Sequence, residues 1–359
     1  MTALDNLTGK TAKCGEESVC APLVVPDLSE IALPVAREMQ MVEEWLRRNL
    51  IDESPFVGEL LSQLFAAGGK RVRPLITLLA SSASLASAEE DVAHSELRTV
   101  HIVLSVLTEL IHSASLVHDD VIDAASTRRG KETVNRRFSD KMAVLLGDLL
   151  FAQASICLAR IMNPVVVGVY GQVLGDLCSG EISQMSQQFS LKVDFDAYIK
   201  KSIGKTASLI AAGAHCGAIL NARPNHEIQG LKDYGENLGI CFQIVDDLLD
   251  LTGTQAKTGK PVGSDLRSGL ITAPALYTLS QDDSLAKELR TLIKERQVES
   301  DEGLSRAVEI IKLAGGIERT NNLARSYGDK AKAALSVLRE SPARTSLENL
   351  VDYVLVRNN

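Results

Sequence analysis

Aromatic residues are scarce in this chain, at 4% of 359 residues with one tryptophan, and no basic run is interleaved with them. With a net charge of −8, that excludes a general nucleic-acid binder, which needs a basic face bearing aromatics. Zinc-type cysteine spacing is also missing. Cys14, Cys20, Cys157, Cys178, Cys216 and Cys241 are scattered, and the last four lie in apolar segments, as buried thiols of a reducing compartment do. No secretory pattern opens the sequence, and Asp5, Glu16 and Glu17 suit an organelle transit peptide poorly. The expected compartment is cytoplasmic, with an organelle still open. Strand-type alternation and Gly-rich hairpin signals are absent. No uninterrupted apolar run reaches the roughly 20 residues of a membrane span. Residues 142–177 are broken by Asp148, Arg160, Asn163, Pro164 and Asp176, and the run 207–220 has only 14 residues and contains His215.

What is present is helix. From about Leu28 onward Leu, Ala, Ile, Glu and Lys dominate, as helix propensity prefers. Breaks fall near 52–55, 68–74, 87–92, 124–137, 163–164, 192–194, 221–225, 252–268, 281–284 and 341–342. The pattern predicts an all-α fold, a loose polar arm over 1–26 and one domain of ten or more helices over 27–359. Segments apolar on nearly every side belong at the centre of a large bundle. A core this apolar is hard to cover with one layer of helices, which predicts a dimer.

An acidic box occurs twice, Asp119-Asp120-Val121-Ile122-Asp123 and Asp246-Asp247-Leu248-Leu249-Asp250. Each closes a long apolar segment. Positions i, i+1 and i+4 of a helix place at least two of the carboxylates on one face. Two such faces turned together repel unless a cation lies between them. Mg²⁺ binds through one or two carboxylates and takes its other ligands from phosphates and water. The boxes therefore point to a metal-bridged diphosphate ligand. A single box alone reads more readily as a solvated helix face than as a metal site.

Cations flank the boxes. Gly68-Gly69-Lys70-Arg71-Val72-Arg73-Pro74 joins two helices, and Lys70 and Arg73 can grip a second anion. Arg128 and Arg129 follow the first box; guanidinium groups fork onto phosphate oxygens. Lys260 lies in a Gly-rich loop after the second box, suited to a lid. Gly204-Lys205-Thr206 is no P-loop, because it lacks the upstream glycine, yet Lys205 inside an apolar helix needs an anion nearby. His112 lies two turns before Asp119 on roughly the same face, and Gln243 lies three residues before Asp246.

In this order GGKRVRP, DDVID with TRRG, GKT, and FQIVDDLLD with TGKPVGSD resemble the trans-isoprenyl diphosphate synthases, most nearly the long-chain, octaprenyl- and solanesyl-like subgroup. The resemblance runs from about Leu28 to the end. It implies an all-α bundle around a deep central cavity, a homodimer, and head-to-tail condensation of isopentenyl diphosphate with an allylic diphosphate. Three Mg²⁺ ions would join with substrate, Mn²⁺ can substitute, and product release brings a peripheral membrane contact. By resemblance Asp119, Asp123 and Asp246 hold Mg²⁺, while Asp120, Asp247 and Asp250 complete the motifs and orient that shell. Arg128, Lys205 and Lys260 match the allylic diphosphate site. Lys70, Arg73, His112 and Arg129 match the isopentenyl diphosphate site. Thr206 and Gln243 match polar groups near the forming carbocation. One position departs: Leu270 stands where the family often has lysine, and Arg267 is the nearby cation that would compensate.

Product length follows from the residues below the first box. Ser115 and Ala114 lie about 6–7.5 Å below Asp119 along a helix, with Ile111 one turn further. In the resembling family aromatics at this depth stop growth at farnesyl length, and small residues leave the path open, which implies a product of about C30–C50. The alternatives are a shorter-chain synthase, a terpenoid cyclase or head-to-head synthase, and a non-catalytic subunit. GGKRVRP argues against the cyclase and head-to-head readings, and two intact boxes argue against the last.

Overall fold

The structure is a computed structural model that describes residues 26–49, 54–66, 69–86, 97–128, 130–253 and 262–357. Residues 1–25 of the arm, Cys14, Cys20, Gly68, Arg129, Lys260 and the whole 87–92 break lie outside the described residues. The main helices are α1 (Ala36–Asn49), α2 (Pro55–Ala66), α3 (Val72–Ala83), α4 (Thr99–Ile122), α5 (Asp140–Ile161), α6 (Pro164–Ser186), α7 (Phe195–Ser202), α8 (Ser208–Leu220), α9 (Asn225–Thr252), α10 (Ala273–Leu279), α11 (Ser284–Lys294), α12 (Asp301–Leu313), α13 (Gly316–Ala334) and α14 (Pro342–Val356).

The helix starts follow the local sequence. Asn163 caps α6 through its side chain with Pro164 behind it, and Ser341 caps α14 ahead of Pro342. Asp194, Asp283 and Ser300 cap α7, α11 and α12. Each cap satisfies backbone N–H groups that have no partner inside the helix. The start of α3 departs from this pattern. Arg71 sits there at φ 47, a left-handed backbone that costs a non-glycine residue free energy. Its guanidinium is fixed on both sides, to Glu43 at 2.7 Å and to buried Glu109 at 2.7 Å.

The centre of the bundle is α3, α4, α8 and α9, wrapped by the others around one apolar core. Every residue of α8 from Leu209 to Ala218 is buried. Close crossings are set by small residues. A Cβ at Gly147 of α5 would stand 2.1 Å from the His118 ring of α4, so only glycine fits there.

Two expectations are corrected. The 127–132 segment is a small hairpin, with Thr127–Arg128 antiparallel to Lys131–Glu132. Gly130 at φ +74 supplies the turn, and two residues per strand are too short for any alternation to show in sequence. Three helical stretches are also long and apolar enough to cross a membrane: Thr99–Ile122, Asp140–Ile161 and Phe195–Leu220. Counting uninterrupted runs missed them because an isolated polar residue does not break a helix. The first and third are 78% and 72% buried, which makes them the bundle's interior. The second is only 33% buried and carries exposed Val144, Leu145 and Ile156.

Candidate active site

Both acidic boxes end long helices, the first closing α4 and the second the last turns of α9. A helix C-terminus carries the negative end of the macrodipole, so carboxylates there add to an already negative potential. Asp119 is half-buried, and Asp123 is the exposed C-cap residue of α4. Neither carboxylate accepts a hydrogen bond from a described residue. Burial pushes the Asp119 carboxyl up to about 6; Glu181 and Asp123 add to the rise, while Lys205 and Arg128 oppose it. Asp120 is buried and accepts from Arg128 Nε at 2.6 Å.

Lys205 comes from a single wide turn, Ile203–Ala207, in which Ser208 N–H reaches back to Ile203 O. Wide turns of this kind recur at functional sites. Here α6 and the turn touch closely, since a Cβ at Gly204 would lie 3.0 Å from Asp176 O. Lys205 Nζ donates to Glu181 Oε2 at 2.7 Å. Burial works against its charge, but the Glu181 bond and the Asp119 and Asp123 carboxylates outweigh that and raise its pKa. The anion that Lys205 needed is thus Glu181 together with the first box.

The next residue connects to the second box. Thr206 Oγ1 donates to Gln243 Oε1 at 2.7 Å, and Gln243 Nε2 donates to Asp247 Oδ1 at 2.9 Å. Asp247 is buried and accepts Tyr198 OH on its other oxygen at 2.6 Å. Burial and Asp265 push its carboxyl up to about 7, with Lys201 opposing. Asp250 accepts Ser264 Oγ at 2.6 Å and the backbone N–H groups of Ser264 and Asp265 at 3.1 and 3.2 Å. Burial and Asp265 raise it to about 6. Asp246 takes Arg357 Nη2 at 2.6 Å; burial raises its pKa, and Arg357 and Arg73 oppose.

Arg73 Nη1 lies 3.0 Å from His112 Nε2 on α4, and its charge favours the ionised form of Asp246 on α9. Lys70 is exposed, with its ammonium 5.6 Å from the Tyr353 ring. A pocket opens beside the first box, lined by Arg71, His112, Asp120 and Arg128 together with apolar residues that include Leu116 and Val117. Below Asp119, Ala114 and Ile111 are fully buried, and half-buried Ser115 turns its hydroxyl onto His112 O at 2.9 Å.

Of the fifteen acidic, basic and polar side chains predicted for diphosphate and metal chemistry, Arg129 and Lys260 lie outside the described residues and Lys70 meets Tyr353, while the other twelve fall into smaller groups along and beside the two boxes. Arg267 is the exception in its surroundings. It pairs with Asp301 and Glu299 O, so it does not cover for Leu270. Glu181, Tyr198, Lys201 and Arg357 were missed, because none belongs to a spaced motif, and Ser264 lay inside TGKPVGSD without being given a role. An acid on an otherwise apolar helix was the available signal for Glu181.

The model of the polyprenyl synthetase family matches residues 54–311. The chain belongs to that family. This polyprenyl synthetase is 43% identical over 324 residues to a prenyl transferase of Synechocystis sp., covering 90% of this chain and 97% of the relative. It is 42% identical over 305 residues to a chloroplastic solanesyl-diphosphate synthase of Oryza sativa subsp. japonica, covering 85% and 73%. Among solved structures, a polyprenyl synthase of Caulobacter crescentus complexed with calcium and isoprenyl diphosphate superposes with a TM-score of 0.85 at 30% identity, covering 94% and 100%.

Proposed function

We propose that this chain works as a Mg²⁺-dependent homodimer that elongates an allylic diphosphate with isopentenyl diphosphate to about C30–C50, in the cytoplasm, with residues 27–359 as the catalytic domain. The enzyme is a prenyltransferase making long-chain polyprenyl diphosphate. The observation that carries the site assignment is the hydrogen-bonded run Thr206–Gln243–Asp247, which ends in the second box and starts beside Lys205, whose ammonium is held by Glu181 and favoured by the charges of Asp119 and Asp123.

The donor set suits a hard divalent cation, since Asp119, Asp123 and Asp246 offer only oxygen. Among the described residues no three His, Cys, Asp or Glu side chains form a ready-made cage. That fits an ion that takes a few carboxylates and completes its shell with diphosphate oxygens. Mg²⁺ stabilises the charge that gathers on the leaving diphosphate. Arg128, Lys205 and Lys260 hold that diphosphate, and Lys70, Arg73, His112 and Arg129 hold the isopentenyl diphosphate. Gln243 and Thr206 place amide and hydroxyl oxygens beside the carbon that becomes cationic. The departing diphosphate takes the proton that re-forms the double bond, so no protein base is required.

Dimer formation draws on α5 and α6. Leu145 (61% exposed) and Ile182 (68%) stand out from them, and Gly168, Gly171 and Gly175 leave open space for a close helix. Contiguous apolar surface of this kind marks an interaction site. A peripheral membrane contact on product release is part of the same proposal. Sedimentation at micromolar concentration is expected to give a dimer, and a monomer refutes it. The central test uses purified protein, farnesyl diphosphate, excess isopentenyl diphosphate and Mg²⁺, with product length read by chromatography. Long products are expected from the wild type. Ala114→Phe is expected to shorten them sharply while keeping the first condensation. No shortening refutes the tail path along α4, and no wild-type transfer refutes the proposed reaction.

A further inference from the structure

Lys70, Arg71 and Arg73 stand together in the turn that opens α3, and the structure points them in two directions. Lys70 is exposed, and Arg73, in the first turn of α3, meets His112 of α4. Arg71 is turned inward, with its side chain 10% exposed. Its one guanidinium reaches three other helices. Nε donates to Glu43 of α1 and Nη1 to buried Glu109 of α4, each at 2.7 Å. Nη2 reaches Phe65 O of α2 at 3.5 Å. Arg71 O accepts Leu75 N–H at 3.0 Å, so the same residue opens the helix that carries Arg73.

A buried ion pair adds little net stability over apolar packing, because both charges lose water. It is demanding about geometry, since a planar guanidinium meets two acids only in a fixed orientation. The left-handed backbone at Arg71 costs further free energy, and glycine would take it without strain. What the pair gives is register. On α4, Glu109 and His112 are three residues apart and neighbours along one face. The ties Arg71–Glu109 and Arg73–His112 fasten the start of α3 to that face at two points. We propose that Arg71, through its buried pair with Glu109, is a positioning residue that sets Arg73 and Lys70 for isopentenyl diphosphate. This rests on the proposed reading of Lys70 and Arg73 as that substrate's site.

The test compares Arg71→Met, Arg71→Lys and the double variant Arg71→Met with Glu109→Met, with Arg73→Ala as reference. Steady-state constants are measured separately for each diphosphate, alongside thermal unfolding. Arg71→Met takes the guanidinium from buried Glu109 and is expected to melt lower than wild type. Its KM for isopentenyl diphosphate is expected to rise about tenfold, with kcat and the allylic KM within about twofold of wild type. The double variant removes both charges and is expected to recover the melting temperature but not the KM. Arg71→Lys keeps the charge without the fork and is expected to raise the same KM about threefold. A double variant that regains both overturns the proposal, because the pair then acts on stability alone. Equal rises in the two KM values overturn it too, as does a wild-type KM for isopentenyl diphosphate in Arg71→Met or, should that variant not fold, in Arg71→Lys. Arg73→Ala with an unchanged KM for isopentenyl diphosphate overturns the site reading and the proposal with it. Wild-type protein that transfers no prenyl group is a different result and overturns the reaction on which both rest.

Discussion

The two acidic boxes share one spacing and occupy two different environments. The first is open: Asp119 and Asp123 are bound by no described side chain, and only Asp120 is tied, to Arg128. The second is closed: Asp246 holds Arg357, Asp247 holds Tyr198 and Gln243, and Asp250 ties the start of the 262–270 segment. The first box therefore leaves two carboxylates open, whereas the protein's own donors occupy all three of the second. Boxes of one spacing thus differ according to what their neighbours donate.

The strongest challenge to that division is to remove one carboxylate from each box. Asp119→Ala and Asp246→Ala are each expected to cut turnover by roughly 10²–10³-fold at saturating Mg²⁺, because several kcal/mol of charge stabilisation are lost. Both should remain folded by circular dichroism, since each removes a partly buried like charge. Near-normal turnover in either variant removes that residue from the metal shell.

Exchanging the arginines sharpens the comparison. Arg128→Met loses both the Asp120 bond and a diphosphate contact, so KM for the allylic substrate should rise about 10–100-fold. Arg357→Met frees Asp246, whose side chain is 41% exposed, and should change turnover by less than about tenfold. The reverse order would place the substrate at the second box.

The smallest effect is on stability. Asp119, Asp247 and Asp250 have folded-state pKa values raised to about 6, 7 and 6 from 3.8. The folded state then binds more protons than the unfolded state between about pH 4 and 7, so these groups make stability fall as pH rises through that window. Metal-free protein should melt higher at pH 6 than at pH 7.5, and Mg²⁺ with diphosphate should flatten the difference. Two of the three acids belong to the second box, so Asp247→Asn should remove more of the slope than Asp119→Asn.

The fold and most of the site were legible because their signals are local. Caps such as Asn163-Pro164 and Ser341-Pro342 announce helix starts, and the boxes, Lys205-Thr206 and Gln243 stand at helical spacings from one another. What escaped depends on long-range approach. Glu181 meets Lys205 across 24 positions, Tyr198 meets Asp247 across 49, and Arg357 meets Asp246 across 111, and no pattern along the chain encodes such meetings. Arg267 misled for the same reason: nearness in sequence to Leu270 did not decide which acid it faces.

The wide turn at Ile203–Ala207 is one residue out of step with the helices on either side of it. Such a turn is the mark left by a single-residue insertion, and it can be undone by a single-residue deletion. Removing Gly204 would let α7 and α8 run as one regular α-helix, with better hydrogen bonds and no loose turn in the core. It would also swing everything on one side of the deletion by about 100° relative to the other, so that Lys205 and Tyr198 could no longer face the cleft together. The irregular turn thus sets the register of Lys205 against Tyr198, and a regular helix would lose it.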